Sequence, residues 1–157
     1  MSYSVEKISL INIPRVLDVT AILKLCGEDM FSRYGLNHWK NSGFKTFLIV
    51  CYTMLKNHTY CVLDGERVIA TFQTKLSDDG LHFSKLAVSP DESGKGVGSF
   101  CLSEMEKLAR MAHRTKLACE VYDKSERARD FYLGRGFEII GQTETLKYTE
   151  LVLEKKL

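Results

Sequence analysis

Along this chain apolar residues recur first at alternate positions, then three and four apart, then at alternate positions again, and these changes of period sort it into elements. Residues 5–11 read as a strand, and Pro14 suits the first turn of a helix running to about residue 25, with Val16, Leu17, Val19 and Ile22 apolar among polar neighbours. Residues 27–43 read as irregular. A second helix is expected over 44–56, although β-branched and aromatic residues are frequent in it. Strands at 60–63 and 67–74 flank the turn signal Asp64-Gly65, and Asp78-Asp79-Gly80 leads into a strand at 81–88, so the middle of the chain reads as an antiparallel meander.

Pro90 ends that pattern. A glycine-rich loop follows, then a helix over about 97–113 with Val97, Cys101, Met105, Leu108 and Ala112 on one face. Residues 116–121 form an apolar strand. Ser125 reads as the N-cap of a short helix carrying Ala128, Phe131 and Tyr132, closed by Gly134 and Gly136. Two runs, 137–141 and 146–153, read as a final antiparallel pair. This order predicts a mixed α/β (α+β) architecture in a single domain spanning 1–157, since two domains would each be too small for a strong core.

Composition narrows the function classes. With 45% hydrophobic and 27% charged residues the chain is of ordinary globular type, and a net charge of +2 argues for neither a nucleic acid nor a membrane as partner. The longest apolar run, 47–52, is far short of the roughly 20 residues that span a bilayer. The first residues lack a basic region followed by an apolar stretch, so no secretory signal is expected. The five cysteines, Cys26, Cys51, Cys61, Cys101 and Cys119, are odd in number, form no C-x-x-C pair and sit in apolar stretches, which predicts reduced thiols in a cytoplasmic protein.

Chemistry concentrates in the stretch from Leu86 to Gly98. Here a strand ends, Gly94, Gly96 and Gly98 follow at alternate positions, and a helix begins. The first N–H groups of a helix lack partners and carry partial positive charge, so an anion is welcome there. Glycines remove the Cβ atoms that would hold a phosphate away from the backbone. Ser93, Gly94, Lys95, Gly96, Val97, Gly98 and Ser99 therefore read as a diphosphate cradle, with Lys95 adding charge. The dinucleotide pattern G-x-G-x-x-G fails because the third glycine comes one residue early, and the P-loop pattern is absent.

Val88, Pro90, Gly96 and Gly98 fall in register with the acetyl-CoA loop V-x-P-x-x-[QR]-x-x-G-x-[GA], and the chain here resembles the GNAT superfamily of N-acetyltransferases. A second block, Ser125-x-x-Ala128-x-x-Phe131-Tyr132-x-x-x-Gly136-Phe137, is similar to that family's N-x-x-A-x-x-[FL]-Y-x-x-x-G-F, and Leu117 to Val121 is similar to its L-x-x-E-V strand. Ser93 stands where the family has Gln or Arg, and Ser125 where it has Asn. Both changes point to weaker coenzyme binding.

The resemblance implies a central, mostly antiparallel seven-stranded sheet, with a parallel pair splayed at the coenzyme site and about four flanking helices. It implies acetyl-CoA as cosubstrate, no metal, and an acceptor that is a small-molecule or peptide amine, with homodimer formation left open. The pantetheine arm would pair with Leu86, Ala87 and Val88, one of whose N–H groups would face the thioester oxygen, and Ser125 would lie towards the pantetheine. Tyr132 matches the family's general acid for the leaving thiolate, and Glu120 its strand glutamate, a proton acceptor; His82 on the neighbouring strand is an outside candidate. The acceptor pocket is expected from Glu28, Tyr34, His38 and Trp39, with Glu28 or Asp29 attracting a cationic amine and Trp39 alternatively a packing residue. The implied reaction is acetyl transfer to a primary amine by direct attack through a tetrahedral intermediate. The alternatives are an acyl-CoA-binding sensor without turnover and an interaction protein on the same fold.

Overall fold

The computed structural model describes residues 2–157. Among the described residues seven strands, β1 (Tyr3–Ile8), β2 (His58–Asp64), β3 (Arg67–Leu76), β4 (Gly80–Val88), β5 (Lys116–Tyr122), β6 (Glu138–Glu144) and β7 (Thr149–Lys156), form a sheet in the order β1-β2-β3-β4-β5-β7-β6. The β1–β2, β2–β3, β5–β7 and β6–β7 pairs are antiparallel, and β4–β5 is parallel. Among the described residues four α-helices accompany the sheet: α1 (Ile13–Tyr34), α2 (Gly43–Met54), α3 (Val97–Met111) and α4 (Glu126–Leu133). The fold is the expected mixed α/β type. Two compact units divide it, one holding the chain up to Lys75 with Lys85–Ser103, the other Leu76–Ser84 with Glu104–Leu157.

In the first unit Asn12 caps α1 by accepting from the Arg15 N–H at 3.3 Å, and Pro14 occupies the first turn, where its missing donor costs nothing. Val16, Val19, Ile22, Leu23 and Cys26 recur every three or four residues, so one face of α1 packs on Ile8, Val50, Cys61, Leu63 and Ala87. Val16, Val50 and Cys61 are wholly buried, and each such aliphatic side chain contributes about 1.5–3 kcal/mol relative to exposure.

Helix α1 runs well past residue 25, through part of the stretch that reads as irregular. Gly27 suggests a stop because glycine is a poor helix former. Its actual reason is space: a Cβ there would stand 2.4 Å from the Trp39 carbonyl oxygen, so the glycine admits the backbone of the following loop. The helix stops instead at Gly35, with φ +68°, where the Gly35 and Leu36 N–H groups bond back to Phe31 and Met30. Ser42 caps α2 by accepting from the Lys45 N–H at 3.2 Å.

In the second unit β5 pairs along its whole length with β7, and Leu81, Phe83, Leu117, Cys119, Val121, Tyr132, Phe137 and Leu153 are buried. The last hairpin departs from expectation. Leu146, read as strand, is fully exposed in a turn where the Thr145 hydroxyl accepts from the Lys147 and Tyr148 N–H groups, and β7 begins only at Thr149. Ser125 does sit at the N-cap of α4, but its side chain makes no capping hydrogen bond, contrary to the sequence reading.

Candidate active site

In the first unit the glycine loop opens α3. Pro90–Glu92 form a single 3-10 turn, after which Gly94 (φ +79°) and Gly96 (φ +86°) take left-handed conformations that residues with side chains resist. Open space lies where Cβ atoms of either glycine would project. Ser93, Gly94, Lys95 and Gly96 are exposed, whereas Val97 is 1% exposed and anchors the helix start. Among the described residues the N–H groups of Gly94, Gly96, Val97 and Gly98 have no backbone acceptor. Ser99 follows them in the first turn of α3. The result is an exposed turn whose main-chain donors point away from any backbone acceptor.

Its electrostatics hold a surprise for the sequence reading. Glu92, only 4% exposed, takes Lys95 Nζ at 3.1 Å on one oxygen and the Arg67 guanidinium on the other, and Arg67 also meets Asp91 at 2.9 Å. Hydrogen bonds from Lys95 first and Arg67 second hold the Glu92 carboxyl below the usual carboxylate range. Lys95 is therefore shared with an internal acid. No sequence motif flags the Arg67–Glu92 contact, which joins residues 25 apart.

Leu86, Ala87 and Val88 close β4. Ala87 is buried in the α1 core cluster, and the Val88 carbonyl accepts from the Cys26 thiol at 3.1 Å. Burial pushes that thiol up to about 12, so it is a packing group and not a nucleophile. Just before them Lys85 has φ +50°, a left-handed conformation that costs a residue with a side chain about 1–3 kcal/mol.

In the second unit the parallel ladder registers Gly80 with Lys116, Leu81 with Leu117 and His82 with Ala118, three of the nine residues of β4. At its end His82 Nε2 lies 2.5 Å from Glu120 Oε2, with side chains 34% and 35% exposed. The hydrogen bond from His82 holds the Glu120 carboxyl below its ordinary range against an opposing push from burial. Side chains alternate across a strand, so His82, Ala118 and Glu120 share one face, while Phe83 and Cys119 point to the other. On that other face Tyr132, 8% exposed, packs against Phe83, Phe131 and Phe137 at centroid distances of 5.7, 5.1 and 5.3 Å. The sequence names Glu120, His82 and Tyr132 separately; strand register alone brings the first two together.

The residues expected at the acceptor pocket lie in the second half of α1 and in the loop after it. Glu28 pairs with Lys24 and Asp29 with Arg33, both within α1, so neither is an uncommitted charge. Tyr34 is half-exposed at the end of α1. Trp39 packs against the first unit's core, with His38 beside it at a ring distance of 6.1 Å, and burial lowers the His38 pKa.

A model of the acetyltransferase (GNAT) domain matches residues 56–139, more than half of the chain, and the chain belongs to the GNAT family. No curated protein matches it in sequence. Among solved structures its backbone is similar to PaiA N-acetyltransferase from Thermoplasma acidophilum in complex with coenzyme A (17% identity, all of both chains, TM-score 0.76). It is also similar to the ribosomal-protein-S18-alanine N-acetyltransferase from Escherichia coli (15% identity, 99% and 94% of the two chains, TM-score 0.72). A third is a GNAT acetyltransferase from Elizabethkingia anophelis with acetyl-CoA bound (13% identity, 99% and 98%, TM-score 0.67). Among the described residues no helix is long and apolar enough to cross a membrane.

Proposed function

We propose that this chain transfers an acetyl group from acetyl-CoA to a primary amine by direct attack through a tetrahedral intermediate. The observation that carries the reading is the start of α3, where Gly94 and Gly96 turn left-handed and leave main-chain N–H groups open to a diphosphate. The coenzyme A and acetyl-CoA complexes of similar folds support it. The family model crosses residues of both compact units, which supports one functional domain over 1–157.

In this reading Gly94, Lys95, Gly96, Val97, Gly98 and Ser99 receive the diphosphate. Leu86, Ala87 and Val88 guide the pantetheine arm. An N–H of that segment donates to the thioester oxygen as it becomes an oxyanion, a contact whose loss costs about 3–4 kcal/mol in acyl-transfer enzymes. The amine must shed a proton: at pH 7 only about one alkylamine in 2,500 is neutral, a deficit of about 4.6 kcal/mol. In this reading Glu120 receives that proton and Tyr132 returns one to the leaving sulfur, roles that the family resemblance of the two positions supports. The acceptor is a small-molecule or peptide amine; one similar fold is named for acetylating an alanine of a ribosomal protein.

Thiol release from acetyl-CoA in the presence of a panel of small amines and short peptides tests the proposal. Calorimetric binding of coenzyme A without release on any amine favours a sensor instead, and absence of binding removes both.

A further inference from the structure

We infer that His82 is the group that takes the proton from the attacking amine, and that Glu120 acts through it as a positioning residue. The inference rests on the acetyl-transfer reading and reassigns the proton step within it.

Geometry carries the argument. His82 Nε2 faces Glu120 Oε2 at 2.5 Å. A carboxylate accepts and does not donate, so this contact fixes the proton on Nε2 and leaves the lone pair on Nδ1. Each side chain is about one-third open, unlike Glu92 at 4%, so a solute can reach the pair. It also sits where the parallel ladder ends, with only the small Ala118 opposite His82 in the register.

The charged neighbours on that face are already matched. Lys116, next to the ladder's start, binds Asp79 at 2.8 Å and Glu154 at 2.9 Å. Glu120 stands opposite Val152 on β7, which brings no charge. Among the described residues His82 is the one basic side chain ion-paired with Glu120.

Chemistry points the same way. A carboxylate already held below its ordinary range by a hydrogen bond is a poor acceptor for an ammonium proton, whereas the imidazole beside it offers a nitrogen lone pair that the contact leaves uncommitted. The step balances as follows. The ammonium N–H proton passes to His82 Nδ1, with Glu120 compensating the imidazolium charge, and the freed nitrogen lone pair forms the N–C bond while the carbonyl π pair moves onto oxygen. The oxygen pair then re-forms the carbonyl, the C–S bond breaks with its electrons on sulfur, and the second proton leaving nitrogen replaces, through water, the one that sulfur takes from Tyr132. His82 releases its own to water.

The test uses the full chain, acetyl-CoA, and putrescine and an alanine-terminated tripeptide as acceptors, read by thiol release. His82→Gln keeps a donor for Glu120 but provides no base. It should lower kcat about 100-fold with KM for acetyl-CoA unchanged. Glu120→Gln still accepts from Nε2–H, so it should lose only about tenfold in kcat, with KM for acetyl-CoA unchanged. Near-wild-type rates in His82→Gln, or a larger loss in Glu120→Gln than in His82→Gln, overturn the inference and return the base role to Glu120. Silence of the wild-type enzyme on these two and on every other amine of the panel overturns acetyl transfer itself, and this step with it. Imidazole nitrogen NMR of the wild-type chain gives a readout free of variants and of activity: His82 should carry its neutral-state proton on Nε2, and a proton on Nδ1 would contradict the assignment.

Discussion

Lys95 Nζ stands 3.1 Å from the buried carboxylate of Glu92, so the lysine of the glycine loop serves the fold before it serves a ligand. With Arg67 on the other oxygen, the pair ties the loop to β3. Glu92 is held below the usual carboxylate range, by Lys95 first and Arg67 second. A depressed folded-state pKa contributes stability above the unfolded value, near 4.3 for a glutamate, and that stability is lost as pH falls through the folded value. Melting temperature in the wild type should therefore fall steadily below about pH 5, and Glu92→Gln should flatten that slope while lowering Tm at neutral pH. Thermal melts between pH 3 and 7 decide it; parallel slopes in the two proteins would detach Glu92 from the acid response.

Gly96 separates the cost of folding from the cost of binding. Its φ of +86° penalises any side chain, yet nothing lies within 4 Å of the Cβ position, so the folding penalty is backbone strain alone, about 1–3 kcal/mol. Gly96→Glu should retain a cooperative melt a few degrees lower and lose coenzyme A binding, since bulk and negative charge enter the cradle. Titration calorimetry with coenzyme A checks it, and unchanged affinity would place the diphosphate elsewhere.

Gly27 makes the opposite case. Alanine favours a helix by about 1 kcal/mol over glycine, but here the added methyl would meet the Trp39 carbonyl at 2.4 Å and displace the loop that follows α1. Gly27→Ala should destabilise by about 1–3 kcal/mol despite the better propensity. Urea denaturation measures the sign, and a gain in stability would mean the loop moves freely.

Much of this architecture is written in local pattern. The alternation of Val68, Ala70 and Phe72, the helical spacing of Val97, Cys101 and Met105, and the glycines after Pro90 each predict an element that the structure contains. Failures arise where distant contact overrides local chemistry. Gly27 reads as a stop because its role depends on Trp39. Leu146 reads as strand because its hydrophobicity is visible and the turn chemistry of Thr145 outweighs it. The candidate site divides similarly. Glycine loop and tyrosine are legible through spacing, but pairing His82 with Glu120, 38 residues on, needs the β4–β5 register, and pairing Arg67 with Glu92 needs the start of β3 and the turn after β4 brought together.

Tyr132 tests whether that spacing reports catalysis or packing. Its ring fills a cluster with Phe83, Phe131 and Phe137, so Tyr132→Phe keeps the packing and removes only the hydroxyl. If the residue is a core aromatic alone, turnover should not change. If its phenol protonates the leaving sulfur, kcat should fall about 10- to 100-fold with little change in KM for acetyl-CoA. A phenol near pKa 10 donating to a thiolate near 8.5 is uphill by about 2 kcal/mol, so the benefit depends strongly on the leaving thiol. An acetyl thioester of a more acidic thiol leaves without help, and with that donor the variant should recover to nearly the wild-type rate. Equal losses with both donors would show that the hydroxyl does something other than protonate sulfur.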